Sequence, residues 1–226
     1  MESEPLENVL FKIGPLPISE TVVTTWAVML SLLMVCWLSA RRLRLEPGSW
    51  QVALEGVVGA IENAIEAVMP EYARVVLPFV GSLWIFVVCA NLVGILPGLH
   101  GPTADLSTTS ALALLVFLSV HWYGIRIHGL RAYARHYIEP NPILLPFHIV
   151  SEISRTIALA VRLFGNIFSL EMAALLILLV AGFLVPVPVL LLHIVEALVQ
   201  AYIFGMLALI YIAGGIQSLE MKKKEQ

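Results

Sequence analysis

Between residues 160 and 172 the sequence reads AVRLFGNIFSLEM, an arginine, an asparagine and a glutamate set in an otherwise apolar tract. A charged side chain at the centre of a bilayer costs roughly 2.5–3.5 kcal/mol on insertion scales, so Arg162 demands both a counter-charge and a use. Successive residues of a helix turn by about 100°. Arg162, Asn166 and Ser169 therefore share one face, while Glu171, nine positions beyond Arg162, points to the opposite one. Later in the chain His193, Glu196 and Gln200 follow at i, i+3 and i+7 and share a face of their own. Upstream, Glu152 and Arg155 are spaced to pair at i, i+3. Counted from the VPVP stretch at 185–188, the order of depth is His193, Glu196, then Glu171 level with Gln200, then Arg162, with Arg155 and Glu152 beyond. Chains of Asp, Glu and His inside a membrane mark routes for protons or other ions. Asn166, Ser169 and Gln200 also have a plainer use, joining helices by hydrogen bonds. Arg162 has no acid three or four positions away, so its counter-charge is expected from another helix or another subunit.

These side chains need helices that cross a membrane, and the composition supplies them. Of 226 residues 59% are hydrophobic and 13% charged, where a soluble domain of ordinary composition is roughly 25% charged. The chain reads as an all-α polytopic membrane protein forming a single membrane domain over 1–226. Residues 1–20 form a polar, proline-punctuated segment. Spans are expected near 21–40, 75–97 and 108–126, each about the length a bilayer requires. Residues 50–71 interleave apolar positions with Glu55, Glu62 and Glu66 and suggest an amphipathic helix at the membrane surface. Asp105, in the loop before the third span, has the type of a helix cap. His121 and His148 fall near span ends, where interfacial positions are expected. Cys36 and Cys89 sit in separate apolar segments and read as packing residues. No short apolar segment with a basic flank opens the sequence, so no removable signal is expected.

Two longer apolar tracts follow, 143–184 and 187–217, with the prolines of VPVP between them as the turn of a helical hairpin. A helix from Arg155 to Leu184 would run roughly 45 Å against a hydrocarbon core of ~30 Å. Strong tilt accommodates this, and a break near Gly165 is the other solution; a tilted pair is the expectation. Basic residues set orientation. Arg41, Arg42, Arg44 and Arg74 lie between the first two spans, Arg126, Arg131 and Arg135 follow the third, and Lys222, Lys223 and Lys224 follow the last. Lys12 alone breaks the pattern. Five crossings, with residues 1–20 outside and the C-terminal end in the cytoplasm, satisfy the other charges.

The residues RLFGN at 162–166, the acid at Glu171 and HIVEALVQAYIF at 193–204 together resemble subunit a of the F-type ATP synthase. NLVGILPG at 91–98 and PTADLSTTSALAL at 102–114 are similar to that family's second-span exit and third-span entry, so the likeness covers about residues 75–217. The resemblance implies a stator with a membrane-embedded hairpin of tilted helices and two offset ion half-channels. It further implies that Arg162 faces a rotating ring of c subunits, each carrying a buried carboxylate, and prevents a short circuit between the half-channels. Glu171, His193 and Glu196 would relay the ion through the outer half-channel, and Asn166 and Gln200 would order water and position the arginine. Implied partners are the c-ring, the b subunits of the peripheral stalk, the soluble catalytic sector and the bilayer, with no nucleic acid. The subunit would make no covalent bonds itself, and neither cofactor nor resident metal is expected. The transported ion is H⁺, with Na⁺ as the alternative, and the location a bacterial inner membrane. Thr156 and Ala158 stand where members often have Pro and Ser, and Ser169-Leu170 precede Glu171 where a small residue and Gly are common.

Two other classes compete. An autonomous secondary transporter would carry internal repeats with broken helices in both halves, and residues 1–110 hold no counterpart of RLFGN. An intramembrane hydrolase would need a nucleophile–histidine or HExxH constellation, and none surrounds Arg162.

Overall fold

The computed structural model describes residues 9–13, 16–41, 48–95, 101–130, 133, 145–181 and 186–224. Among the described residues six helices dominate: α1 (Glu20–Arg41), α2 (Ser49–Val68), α3 (Ala73–Val93), α4 (Leu106–His128), α5 (Leu145–Ala181) and α6 (Pro186–Lys224). A 3-10 turn, Pro102–Ala104, precedes α4. Among the described residues five helices, α1, α3, α4, α5 and α6, are long and apolar enough to cross a membrane. The sequence did not anticipate an antiparallel hairpin of β1 (Val9–Ile13) and β2 (Leu16–Ser19) leading into α1. Several charges used for orientation, among them Arg42, Arg44, Arg131 and Arg135, lie outside the described residues.

Local chemistry explains the boundaries. The Asp105 side chain accepts a hydrogen bond from the backbone N–H of Ser107 at 2.7 Å and caps α4, as its type suggested. Gly129, at φ 83°, ends α4 in a conformation that an L side chain rarely adopts. Pro186 opens α6, where its missing N–H costs the helix no hydrogen bond. Helix α5 runs unbroken through Gly165, so the long tract is not relieved by a break. With 37 and 39 residues, α5 and α6 are about 55 and 58 Å long. Both exceed the ~30 Å hydrocarbon core and must tilt or protrude.

Helix α6 is the centre of the bundle. Ile65 of α2, with Val76, Val80 and Trp84 of α3, packs on Leu209, Ile212 and Ile216 of α6. A second cluster joins Leu83 and Val87 of α3, Leu112 and Val116 of α4, Leu159 and Leu163 of α5 and Phe204 of α6. Lipid tails are as apolar as leucine, so close backbone approach and polar contacts must hold such helices together. The inward face of α6 suits that need, since Ala197, Ala201, Gly205 and Ala208 are all buried. A Cβ on Gly205 would stand 2.5 Å from Cδ2 of Trp84, so the indole occupies the space that a side chain would fill. By contrast α1 leaves Leu30, Leu33, Met34 and Trp37 exposed, as a helix facing lipid does. Helix α2 is amphipathic as read: Ile65 is buried while Glu55 and Glu66 are exposed.

Candidate ion-conducting site

Arg162 lies on the exposed face of α5, and among the described residues it makes no ion pair. One turn further, the Asn166 Nδ2–H donates to Oε1 of Gln200 at 2.9 Å, tying α5 to α6. Gln200 is 1% exposed, and its Nε2 has no partner among the described residues. Ser169 is exposed on the same side. Glu171 turns the other way, as nine helical positions require. Its Oε1 accepts the backbone N–H of Gly101 at 3.2 Å.

That carboxylate sits where two backbones nearly touch. A Cβ on Gly94, at the end of α3, would be 2.9 Å from Glu171 Oε1 and 3.1 Å from Cα of Gly101. A Cβ on Gly101 would be 3.0 Å from the same oxygen and 3.1 Å from Cα of Gly94. Both glycines have φ −63°, which any residue adopts. Close approach, and not backbone freedom, is what calls for glycine. Sequence reasoning missed both positions, because nothing in the spacing of residues 94, 101 and 171 foretells the contact.

His193 is 1% exposed, with Nε2 unpartnered among the described residues. Glu196 is half-buried between His193 and Gln200 along α6, in keeping with the shared face. Asn91 of α3, also missed as a site residue, is fully buried; its Nδ2–H donates to the carbonyl of Ala197 at 3.0 Å. Its Oδ1 and the Oγ1 of Thr103 are buried without a partner among the described residues. Buried polar atoms left open in this way are rare unless water or an ion serves them. Here they come from α3, the 3-10 turn and α6, around the interior side of the hairpin. A polar residue within an apolar span was the signal available for Asn91.

On the other side of Arg162 the expected pair rearranges. Glu152 is paired with His121 of α4, with Nε2 3.5 Å from Oε2, while the Arg155 guanidinium lies 5.9 Å above the Tyr211 ring of α6. Helix packing gives each of the two a cross-helix neighbour. Cys36 and Cys89 are both free.

The arrangement sets a fixed cation on an outward face, with one set of polar groups at Glu171 and His193 and another at Glu152. A family model described as ATP synthase A chain matches residues 22–213. ATP synthase subunit a 2 of Pelobacter propionicus is 64% identical over 214 residues, covering 95% of this chain and 94% of the relative. ATP synthase subunit a of Legionella pneumophila is 56% identical over 220 residues, covering 97% and 96%, and subunit a 1 of Hahella chejuensis is 64% identical over 205 residues, covering 91% and 87%. These matches favour an ion-translocating subunit over the autonomous transporter. The chain is a multi-pass membrane protein and belongs to the ATP synthase subunit a family.

Proposed function

We propose that this chain is the non-catalytic stator subunit that carries H⁺ to and from a ring of c subunits through two half-channels meeting at Arg162. One observation carries the reading: Arg162 is exposed on α5 with no acid of the described chain beside it. In a bilayer such a charge needs a partner from outside. Gly165 supports the same face, since a Cβ there would meet nothing within 4 Å among the described residues. Nothing among the described residues requires that glycine, whereas a helix drawn up against the Arg162 face would.

A proton entering from the outer side passes His193, Glu196 and Glu171, with Asn91 and Thr103 holding water between them. It then loads a ring carboxylate. Asn166 and Gln200 hold α5 and α6 in register beside the arginine. Each arriving carboxylate must be stripped of its proton, and Arg162 supplies the field. At an effective dielectric of ~20, unit charges ~4 Å apart attract by ~4 kcal/mol, equivalent to nearly three pKa units (~1.4 kcal/mol each). The guanidinium stays charged at working pH and passes no proton itself, so it separates the half-channels. The released proton leaves by the Glu152 and Arg155 side. The peripheral stalk's b subunits hold this chain against the ring, and ATP chemistry belongs to the soluble sector. The basic residues at the ends of α1 and α6 support a C-terminal end in the cytoplasm of a bacterial cell.

The test is ATP synthesis by membrane vesicles under an imposed proton gradient, alongside passive proton flux after removal of the soluble sector. Arg162→Ala abolishes coupled synthesis in an assembled complex and raises passive flux. Arg162→Lys keeps the charge but loses the planar fork and retains little coupling. Near-normal synthesis in Arg162→Ala would overturn the proposal.

A further inference from the structure

A cavity of about 340 Å³ opens between α4, α5 and α6 on the Glu152 side of Arg162. It reaches Leu159, three residues and about 4.5 Å of helix rise before the arginine. Its polar lining includes His121 of α4, His148, Glu152 and Arg155 of α5, Tyr211 of α6 and Tyr133 from beyond α4. The volume accommodates several waters.

His121 stands inside this cavity and not at a bare interface. Its Nδ1 is 2.9 Å from the carbonyl oxygen of Phe117, and its Nε2 is 3.5 Å from Oε2 of Glu152. A carbonyl oxygen only accepts, so Nδ1 carries a hydrogen. In a neutral ring Nε2 would then turn a lone pair toward a carboxylate, placing two acceptors face to face. One proton between Nε2 and Oε2 removes that conflict, whichever atom holds it.

We propose that His121 and Glu152 share one exchangeable proton and form the exchange station of the inner half-channel; this rests on the two-channel reading above. A proton arriving from the ring side binds in the gap and takes the pair from a net charge of −1 to neutral. It leaves to a cavity water as hydronium, and the pair returns to −1. No bond other than that N–H or O–H forms or breaks, and pumping runs the same step in reverse. Arg155 and His148, on the same helix as Glu152, line the same cavity. The Tyr133 and Tyr211 hydroxyls offer hydrogen bonds to the cavity water.

The test uses vesicles carrying the complete synthase, with the face to which the cavity opens outward. ATP-driven proton pumping is measured against pH and normalised to uncoupled ATP hydrolysis. His121→Gln and Glu152→Gln each lower pumping roughly a hundredfold at neutral pH and flatten its pH dependence. The double variant is no slower than the slower single, because only one proton is shared. Glu152→Asp restores the pH dependence. A pair that served structure alone would lower the rate and leave the profile intact. A wild-type profile in Glu152→Gln, or multiplicative losses in the double variant, would overturn the station; Glu152→Gln decides alone if His121→Gln does not assemble. Arg162→Ala in the same vesicles separates the two ideas. Coupled pumping that survives there removes the underlying reading, and loss of pumping there with an unaltered profile in the pair variants removes only the station.

Discussion

Gly101→Ala is a one-carbon perturbation aimed at Glu171 from a residue that carries no chemistry. The added Cβ would lie 3.0 Å from the carboxylate oxygen and 3.1 Å from the Gly94 backbone, both inside ordinary van der Waals contact. Two relaxations are open. If the carboxylate swings away, the 3.2 Å bond from Gly101 N–H is lost, and hydrogen bonds to charged groups are worth about 1.5–3 kcal/mol. If the turn moves instead, overpacking costs ~1–3 kcal/mol. The two are alternatives and not a sum, so ~2 kcal/mol is the expected cost. Should that fall on the carboxylate's place in proton transfer, each ~1.4 kcal/mol is tenfold in rate. The expected result is ATP synthesis slower by about thirtyfold, with the complex assembled and uncoupled ATP hydrolysis unchanged. The decisive comparison is the double variant with Glu171→Gln. If Gly101→Ala acts through the carboxylate, it adds little once that carboxylate is gone. Wild-type synthesis in Gly101→Ala, or a full additional loss in the double variant, would refute the cradle.

The remaining expectations are simpler. Glu171→Gln slows gradient-driven ATP synthesis and Glu171→Gln/Glu196→Gln slows it further; unchanged rates in both would remove the two acids from the outer route. Gly205→Ala forces a Cβ toward the Trp84 ring, at 2.5 Å before relaxation, and should lower stability by about 1–3 kcal/mol, read as reduced thermal stability of the detergent-solubilised complex. With Cys36 and Cys89 replaced, a single cysteine at Gln217 is labelled from the cytoplasmic side and one at Ser107 from the outside; labelling of both from one side contradicts five crossings.

Periodicity and composition determined much of this protein. The apolar spans, the amphipathic α2, the proline-marked hairpin and the cap at Asp105 were all legible, because backbone hydrogen bonds in lipid must be satisfied within a helix. The facing directions of Arg162, Asn166, Glu171, His193 and Gln200 followed from the 100° turn alone. Spacing along one helix could not say which helix would answer each side chain. The partners Asn166–Gln200, Glu171–Gly101 and His121–Glu152 lie 34, 70 and 31 positions apart, and their meeting depends on where α4, α5 and α6 cross. The i, i+3 pairing of Glu152 with Arg155 gave way to cross-helix partners for that reason. Glycine roles were hidden likewise: Gly94 and Gly101 have ordinary backbone angles, so only the three-dimensional approach of two chain segments to one carboxylate makes a missing Cβ matter.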